Sequence, residues 1–264
     1  MSDTDPVRLA VDDGVATLTL NRPDNRNALS AEMSAAIIDA VDEVEDSDEA
    51  RCLVVTGTEG TFCAGGDINA MAERMSGAAT LHEAVERIQH ETSRAIQRVA
   101  EFHLPTIARV DGVAYGAGAN LAIATDVTLA SEDARISFGF RQVGLAVDSG
   151  TSYLLPRQVG TSTAKELVFT GELLGAREAE ELGLFNHVYE DFEAEADEFV
   201  QRIATGPTVA LRTSKKLIEQ GYDTSLRVAC DNEAAAQAAV FETEDHEEGA
   251  MAFMEGRQPE FEGR

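Results

Sequence analysis

The chain opens on alternating apolar and polar positions. Val7 to Val11 and Val15 to Leu20, separated by Asp12-Asp13-Gly14, predict a β-hairpin, and the turn-rich Asn21-Arg22-Pro23-Asp24-Asn25 follows. The period then changes to that of a helix, with Ser30 as N-cap, Met33, Ile37, Val41 and Val44 on one face, and an acidic stop at Glu45-Asp46-Ser47-Asp48. A strand at Cys52 to Thr56, a short helix near Met71 and a long helix over Leu81 to Glu101, ended before Pro105, come next. The small, polar stretch Arg74 to Thr80 between the helices reads as a mobile connection. Thr106 to Val110, Val127 to Ala130 and Arg135 to Phe138 read as strands, with a helix over about Ala117 to Ala124 among them. This alternation implies an α/β architecture. A helix begins near Thr151, and beyond it the pattern is mostly helical: Ser162 to Thr170, Ala176 to Leu182, Phe192 to Ala204, Val209 to Glu219, Leu226 to Phe241 and Glu244 to Glu255. We divide the chain into a catalytic core at 1–190 and a helical region at 191–264. Alanine-rich helices such as Ala234 to Ala239 have little apolar bulk, which points to self-association.

Two strands end in loops of very small residues. Cys52 to Thr56 leads to Phe62-Cys63-Ala64-Gly65-Gly66-Asp67-Ile68, and Thr106 to Val110 leads to Asp111-Gly112-Val113-Ala114-Tyr115-Gly116-Ala117-Gly118-Ala119-Asn120. Where side chains are absent or tiny, backbone N–H groups are open to a ligand. One amide from each loop can hold a carbonyl oxygen that becomes negative during reaction. Taken singly, Gly65-Gly66 also fits a tight turn, Gly116-Ala117-Gly118 close helix packing, Asp67 a helix cap and Asp126 a strand start.

Composition narrows the partners. Forty-eight acidic against 21 basic residues give a formal charge of −27, which repels nucleic acid and anionic lipid surfaces. Lysine is scarce, with Lys165, Lys215 and Lys216 alone, a balance that resembles the proteins of salt-accumulating halophiles. No leader pattern or membrane-length apolar run is present in the sequence, so a cytoplasmic protein is expected. Cys52, Cys63 and Cys230 read as reduced thiols, the five histidines form no zinc-like cluster, and no metal is expected.

Asn21-Arg22-Pro23 with Asn27-Ala28-Leu29, Phe62 to Ile68, Asp111-Gly112 with Gly116-Ala117-Gly118, Asp126, and Leu154-Leu155-Pro156-Arg157 occur in order along the chain. Together they resemble the crotonase, or enoyl-CoA hydratase/isomerase, superfamily, from about Val7 to Phe261. The resemblance implies a spiral of ββα units with a C-terminal helical oligomerisation region that builds trimers or pairs of trimers. It also implies an acyl-CoA thioester substrate and no separate cofactor. It sets the Gly66 and Ala117 amides on the thioester oxygen, each donor of this kind being worth roughly two to three orders of magnitude in rate. The same resemblance implies the CoA adenine near Ala64, Asp67 and Ile68, and Arg26 near the CoA entrance.

The sequence departs from the hydratases of that family at their two glutamates. Asn120 stands at the first position and Phe140, on the substrate's path, at the second; neither exchanges a proton near neutral pH. The remaining acid is Asp148, in Gly144-Leu145-Ala146-Val147-Asp148-Ser149-Gly150, which in isolation also fits a helix cap. The arrangement resembles family members with a single working aspartate, enoyl-CoA double-bond isomerases and aryl-CoA dehalogenases. The dehalogenases lean on an indole donor, and this chain has no tryptophan. The reading is therefore an isomerase taking 3-enoyl-CoA to 2-enoyl-CoA, with Asp148 as acid and base and Asn120 orienting a water or the substrate. A hydratase and a noncatalytic CoA-ester-binding homologue are the alternatives.

Overall fold

The computed structural model describes residues 5–264. In chain order, its first half holds β1 (Val7–Asp12), β2 (Val15–Leu20), α1 (Ala31–Glu45), β3 (Cys52–Gly57), α2 (Ile68–Ser76) and α3 (Leu81–Arg87). A π-helical turn (Ile88–Thr92) joins α3 to α4 (Ser93–Ala100), followed by β4 (Thr106–Val110), β5 (Val113–Tyr115), α5 (Ala117–Ile123), β6 (Val127–Ser131) and β7 (Arg135–Ser137). After a 3-10 turn (Gly139–Val143) come α6 (Thr151–Thr170), β8 (Leu174–Gly175), α7 (Ala176–Glu181) and β9 (His187–Tyr189). The chain ends in α8 (Phe192–Ala204), α9 (Thr208–Gly221), α10 (Leu226–Val240) and α11 (Glu244–Glu255).

The larger sheet runs β1-β2-β3-β4-β6-β9, with β1 antiparallel to β2 and every later pair parallel. The smaller sheet, β5-β7-β8, gathers the short strands that follow the turns. Side chains alternate across the larger sheet, so β3 sends Leu53 and Val55 to one layer and Cys52 and Val54 to the other. The first layer takes Met33, Ile37, Val41 and Val44 of α1, all at most 1% exposed. Each contributes about 1.5–3 kcal/mol of burial as an upper estimate. Ser30 caps that helix as its sequence implies, accepting from Met33 N–H at 3.1 Å. The second layer is closed by Phe192, Ala196, Val200 and Ala204 of α8. Thus α8, which we grouped by sequence with the C-terminal helices, packs on the sheet.

Several local expectations change. Arg74 to Ser76 continue α2, and Gly77, in a left-handed conformation (φ 80°), ends it. The segment from Leu81 is not one α-helix, since the π-helical turn divides it. Val113–Tyr115 is a strand, because its partner β7 lies far along the chain, where no local period reports it. In α6, Gly160 (φ 76°, ψ 160°) kinks the run of 20 residues.

The last helices bury little of their own surface, and among the described residues α9 buries Thr208 alone and α10 Val240 alone. Lys215 fixes α9 to the core: its Nζ donates to Leu104 O at 3.1 Å and meets Asp126 Oδ2 at 2.8 Å. Asp126 in turn accepts from Thr106 N–H at 2.7 Å, so it is a structural residue at the start of β6. No helix among the described residues is long and apolar enough to cross a membrane.

A formal charge of −27 makes self-repulsion the dominant long-range term in this fold. Raising KCl from about 0.1 M to about 1 M shortens the screening length from about 10 Å to about 3 Å. The unfolding temperature, followed by circular dichroism, is expected to rise across that range; a fall would show that the surface ion pairs outweigh the net repulsion.

Candidate active site

The two small-residue loops are stitched together through their backbones. Cys63 forms a parallel bridge with Ala114: its N–H donates to Val113 O at 3.0 Å, and its carbonyl accepts from Tyr115 N–H at 2.9 Å. On the other side Leu29 bridges Gly66, donating to Gly65 O at 2.7 Å, while Asp67 N–H returns to Leu29 O at 3.2 Å. This seam tolerates no side chain at two glycines. A Cβ on Gly65 would lie 2.6 Å from Tyr115 O and 3.6 Å from Ala117 N, and Gly65 has φ 95°. A Cβ on Gly118 would lie 2.2 Å from Cys63 O. The first loop is therefore pressed against the start of α5. Among the described residues nothing accepts from the Gly66 or Ala117 amides, the first on an exposed loop and the second in the opening turn of α5.

Asn27 braces the first loop from beneath. Fully buried, with φ 54°, it donates from Nδ2 to Thr61 O at 2.7 Å and accepts from Arg22 N–H at 2.8 Å. Its place in an Asn-rich turn was the available sequence signal, because asparagine tolerates the left-handed region.

Asp148 is brought to α5 by a clamp. Asn120, one turn beyond Ala117 and 0% exposed, donates from Nδ2 to the Asp148 carbonyl at 3.0 Å. Thr151 adds its own N–H to that carbonyl at 3.0 Å and gives its hydroxyl to Asn120 Oδ1 at 2.8 Å. Both ends of the Asn120 amide are thus engaged within the protein. Asn120 therefore ties α5 to the Asp148 backbone, whereas the expectation was that it orients a water or the substrate. Thr151 went unrecognised in the sequence, since only the turn at Ser149 and Gly150 folds it back. The Asp148 carboxyl is half-buried, and burial pushes its pKa above the usual carboxylate range, with the Ser149 hydroxyl pulling the other way. Phe140 closes the side next to α5, its ring 4.0 Å from where a Cβ on Gly116 would stand.

The remaining predicted residues lie along the Leu29–Gly66 seam. Ala64 N–H donates to the carbonyl of Arg26, a left-handed residue (φ 51°), at 3.0 Å. Among the described residues no N–H reaches the Ala64 carbonyl. Ile68 is 72% exposed. The Asp67 carboxylate is engaged in the protein: it caps α2, accepting from Asn69 N–H at 2.9 Å, and stands 3.8 Å from Arg22 Nη1. Beside this seam lies an open cleft of about 670 Å³ whose walls include Arg8, Arg22 and Asn25. A smaller cavity of about 330 Å³, among α9, α10 and α11, involves none of these residues.

Residues 10–264 match the enoyl-CoA hydratase/isomerase family. The chain is 36% identical over 257 residues to the 1,2-epoxyphenylacetyl-CoA isomerase of Escherichia coli K12, covering 96% of this chain and 97% of that one. It is 33% identical over 252 residues to the 2,3-dehydroadipyl-CoA hydratase of the same organism, covering 95% and 96%. Among solved structures, an enoyl-CoA hydratase/isomerase from Cupriavidus metallidurans CH34 superposes with a TM-score of 0.90 at 32% identity, covering 100% of this chain and 98% of that one.

The seam has a chemical reporter. Cys63 is buried against it with its thiol pushed up to about 12, whereas Cys230 is exposed. In native protein an aromatic disulfide reagent is expected to titrate Cys230 quickly and Cys63 only on unfolding. Gly118→Ala is expected to cost about 1–3 kcal/mol in urea unfolding and to speed Cys63 labelling. Unchanged labelling and stability would show that α5 does not depend on this contact.

Proposed function

Because the chain belongs to the enoyl-CoA hydratase/isomerase family, the enzymes of the crotonase superfamily, we propose that it moves a carbon–carbon double bond in an acyl-CoA thioester from the 3,4 to the 2,3 position. One observation carries the reading: Asp148, with its carboxyl half-buried, is clamped to α5 through its backbone carbonyl, while the neighbouring positions hold Asn120 and Phe140. Adding water across a double bond calls for delivery of both a water and a proton. Moving the double bond needs one group that takes a proton and gives it back. The 1,2-epoxyphenylacetyl-CoA relative is, by its name, also an isomerase of a CoA thioester.

In the proposed reaction the Asp148 carboxylate removes a proton from C2. The electron pair left on C2 conjugates with the C3–C4 double bond and the thioester carbonyl, giving a dienolate whose charge rests largely on oxygen. The Gly66 and Ala117 amides, without acceptors among the described residues, donate to that oxygen. Protonated Asp148 then returns the proton to C4, leaving the double bond between C2 and C3. A pKa raised by burial suits both halves of this cycle, since it makes the carboxylate a stronger base without making it a permanent acid. The free carbonyl of Ala64 and the Arg26 side chain support the CoA end of the site along the same seam. CoA enters as part of the substrate, and no separate cofactor or metal takes part. Exposed apolar side chains on the last helices, among them Tyr222, Leu226 (82%) and Phe253 (88%), support self-association; we take the assembly to be a trimer or a pair of trimers, in the cytoplasm.

With trans-3-hexenoyl-CoA and crotonyl-CoA offered separately in molar KCl, the first is expected to be isomerised and the second hydrated poorly. Asp148→Asn is expected to lower isomerisation about a thousandfold. Robust crotonyl-CoA hydration that survives Asp148→Asn would overturn the isomerase in favour of a hydratase. Ester binding without turnover across several acyl chains would favour a binding protein. The active form is the carboxylate, so kcat/KM should fall as the pH drops through the raised pKa of Asp148, at a higher pH than an ordinary aspartate would set. The same sign makes the charged carboxyl a cost to folding at neutral pH, so Asp148→Asn is expected to unfold at an equal or higher temperature than wild type.

A further inference from the structure

Two glycines of the site have free space beside them. Among the described residues, a Cβ built on Gly66 meets nothing within 4 Å, and one built on Gly116 meets, chain neighbours aside, Phe140 Cζ alone at 4.0 Å. The Gly66 and Ala117 amides therefore border a space whose near wall is the Phe140 ring. Gly116, the N-cap of α5, accepts from Asn120 N–H at 3.1 Å, so the two stand one turn apart on one face of that helix. Phe140 stands against the first, and the Asp148 carbonyl is bonded to the second. The ring and the Asp148 backbone thus meet α5 within a single turn.

Tyr115 holds Phe140 in that place. Strands β5 and β7 pair with Tyr115 opposite Ser137, and Gly116 N–H donates to Ser137 O at 2.8 Å. Two residues on, the tyrosine ring is pressed against the 3-10 turn. A Cβ on Gly139 would lie 2.4 Å from Tyr115 Cζ and 1.9 Å from its hydroxyl oxygen, and that hydroxyl donates to Gly139 O at 3.3 Å. Position 139 has no room for a side chain because the tyrosine fills it. The turn then closes on itself, Phe140 O accepting from Leu145 N–H at 3.1 Å and Gly144 (φ 71°) ending it. Phe140 is buried, whereas Val143 and Leu145 of the same segment are exposed.

We infer that Tyr115 is a positioning residue that locks the 3-10 turn, so that the Phe140 ring shuts water out of the space beside the Gly66 and Ala117 amides. This rests on the isomerase reading and adds what keeps that reaction dry. Two amides stabilise an oxyanion more where water does not compete for them. A proton taken from C2 by Asp148 returns to the same substrate at C4 only if no solvent proton replaces it on the carboxyl first. In D2O that replacement releases HOD and leaves a deuteron to be delivered to C4.

The test is isomerisation of trans-3-hexenoyl-CoA by the full chain in D2O, stopped at low conversion, with deuterium at C4 of the product read by mass spectrometry. Wild type is expected to carry most of the C2 protons to C4. Phe140→Ala is expected to raise the deuterium fraction severalfold, and Phe140→Leu to leave it near wild type. Tyr115→Phe, which keeps the ring and removes the hydroxyl, should raise it by less than Phe140→Ala. Wild-type product already deuterated to the level of the solvent would overturn the inference, as would a folded Phe140→Ala or Tyr115→Phe enzyme that transfers the proton as wild type does. Should Phe140→Ala fail to fold, Tyr115→Phe decides. A wild-type chain that leaves trans-3-hexenoyl-CoA untouched would overturn the isomerase reading instead. Water access is then read from bound para-dimethylaminocinnamoyl-CoA, a dye conjugated to the thioester carbonyl. A red shift of its emission in both Phe140→Ala and Tyr115→Phe supports the inference, and wild-type emission in either overturns it.

Discussion

The contact on which everything else in this site depends is a backbone-to-backbone approach too close for any side chain. Gly118 of α5 sits against the carbonyl of Cys63, and Gly65 against the carbonyl of Tyr115, with less than 3 Å available to a Cβ at either place. Because interiors are close-packed and yield little, a methyl group at either glycine displaces a whole element. That single approach fixes the first loop relative to α5. It leaves the amides of Gly66 and Ala117 without acceptors among the described residues, and it sets Asn120 one turn along the same helix.

The position of Asp148 follows from that of Asn120. The clamp of Asn120, Thr151 and the Asp148 carbonyl spans a gap of 28 residues and ties the start of α6 to α5. Its polar atoms are satisfied by one another, which is the condition for burying an amide without loss of stability. The carboxyl beyond it is not compensated in this way, since burial raises its pKa with only the Ser149 hydroxyl opposing. The raised pKa is a cost to folding that the clamp on the backbone carbonyl does not offset.

The charge of the molecule works at a longer range than this site. Arginines meet carboxylates across elements, as Arg109 does with Asp197, and Lys215 is spent inside the fold on Asp126 and the Leu104 carbonyl. Part of the positive charge is therefore used to join elements, and the acidic excess is left to the solvent. The helices after α8 rest on few buried side chains of their own, so the two contacts of Lys215 carry weight out of proportion to their number.

What could be read from the sequence was whatever repeats locally. The hairpin, the amphipathic face of α1 with its Ser30 cap, the apolar strands and the small residues of the two loops each leave a short-range signature, because two- and 3.6-residue periods are properties of neighbouring positions. The acid at 148 was legible too, through the absence of the glutamates at 120 and 140. The tertiary structure alone decided what those residues do to one another. Strand β5 exists through its pairing with β7 and its bridge to Cys63, and α8 packs on the sheet through Val54, Ile107 and Leu129. Asn120 became the holder of Asp148 through a bond between residues far apart in the chain. Such contacts have no period and no neighbourly trace, since they are set by how elements meet after folding and not by the order in which the residues are strung.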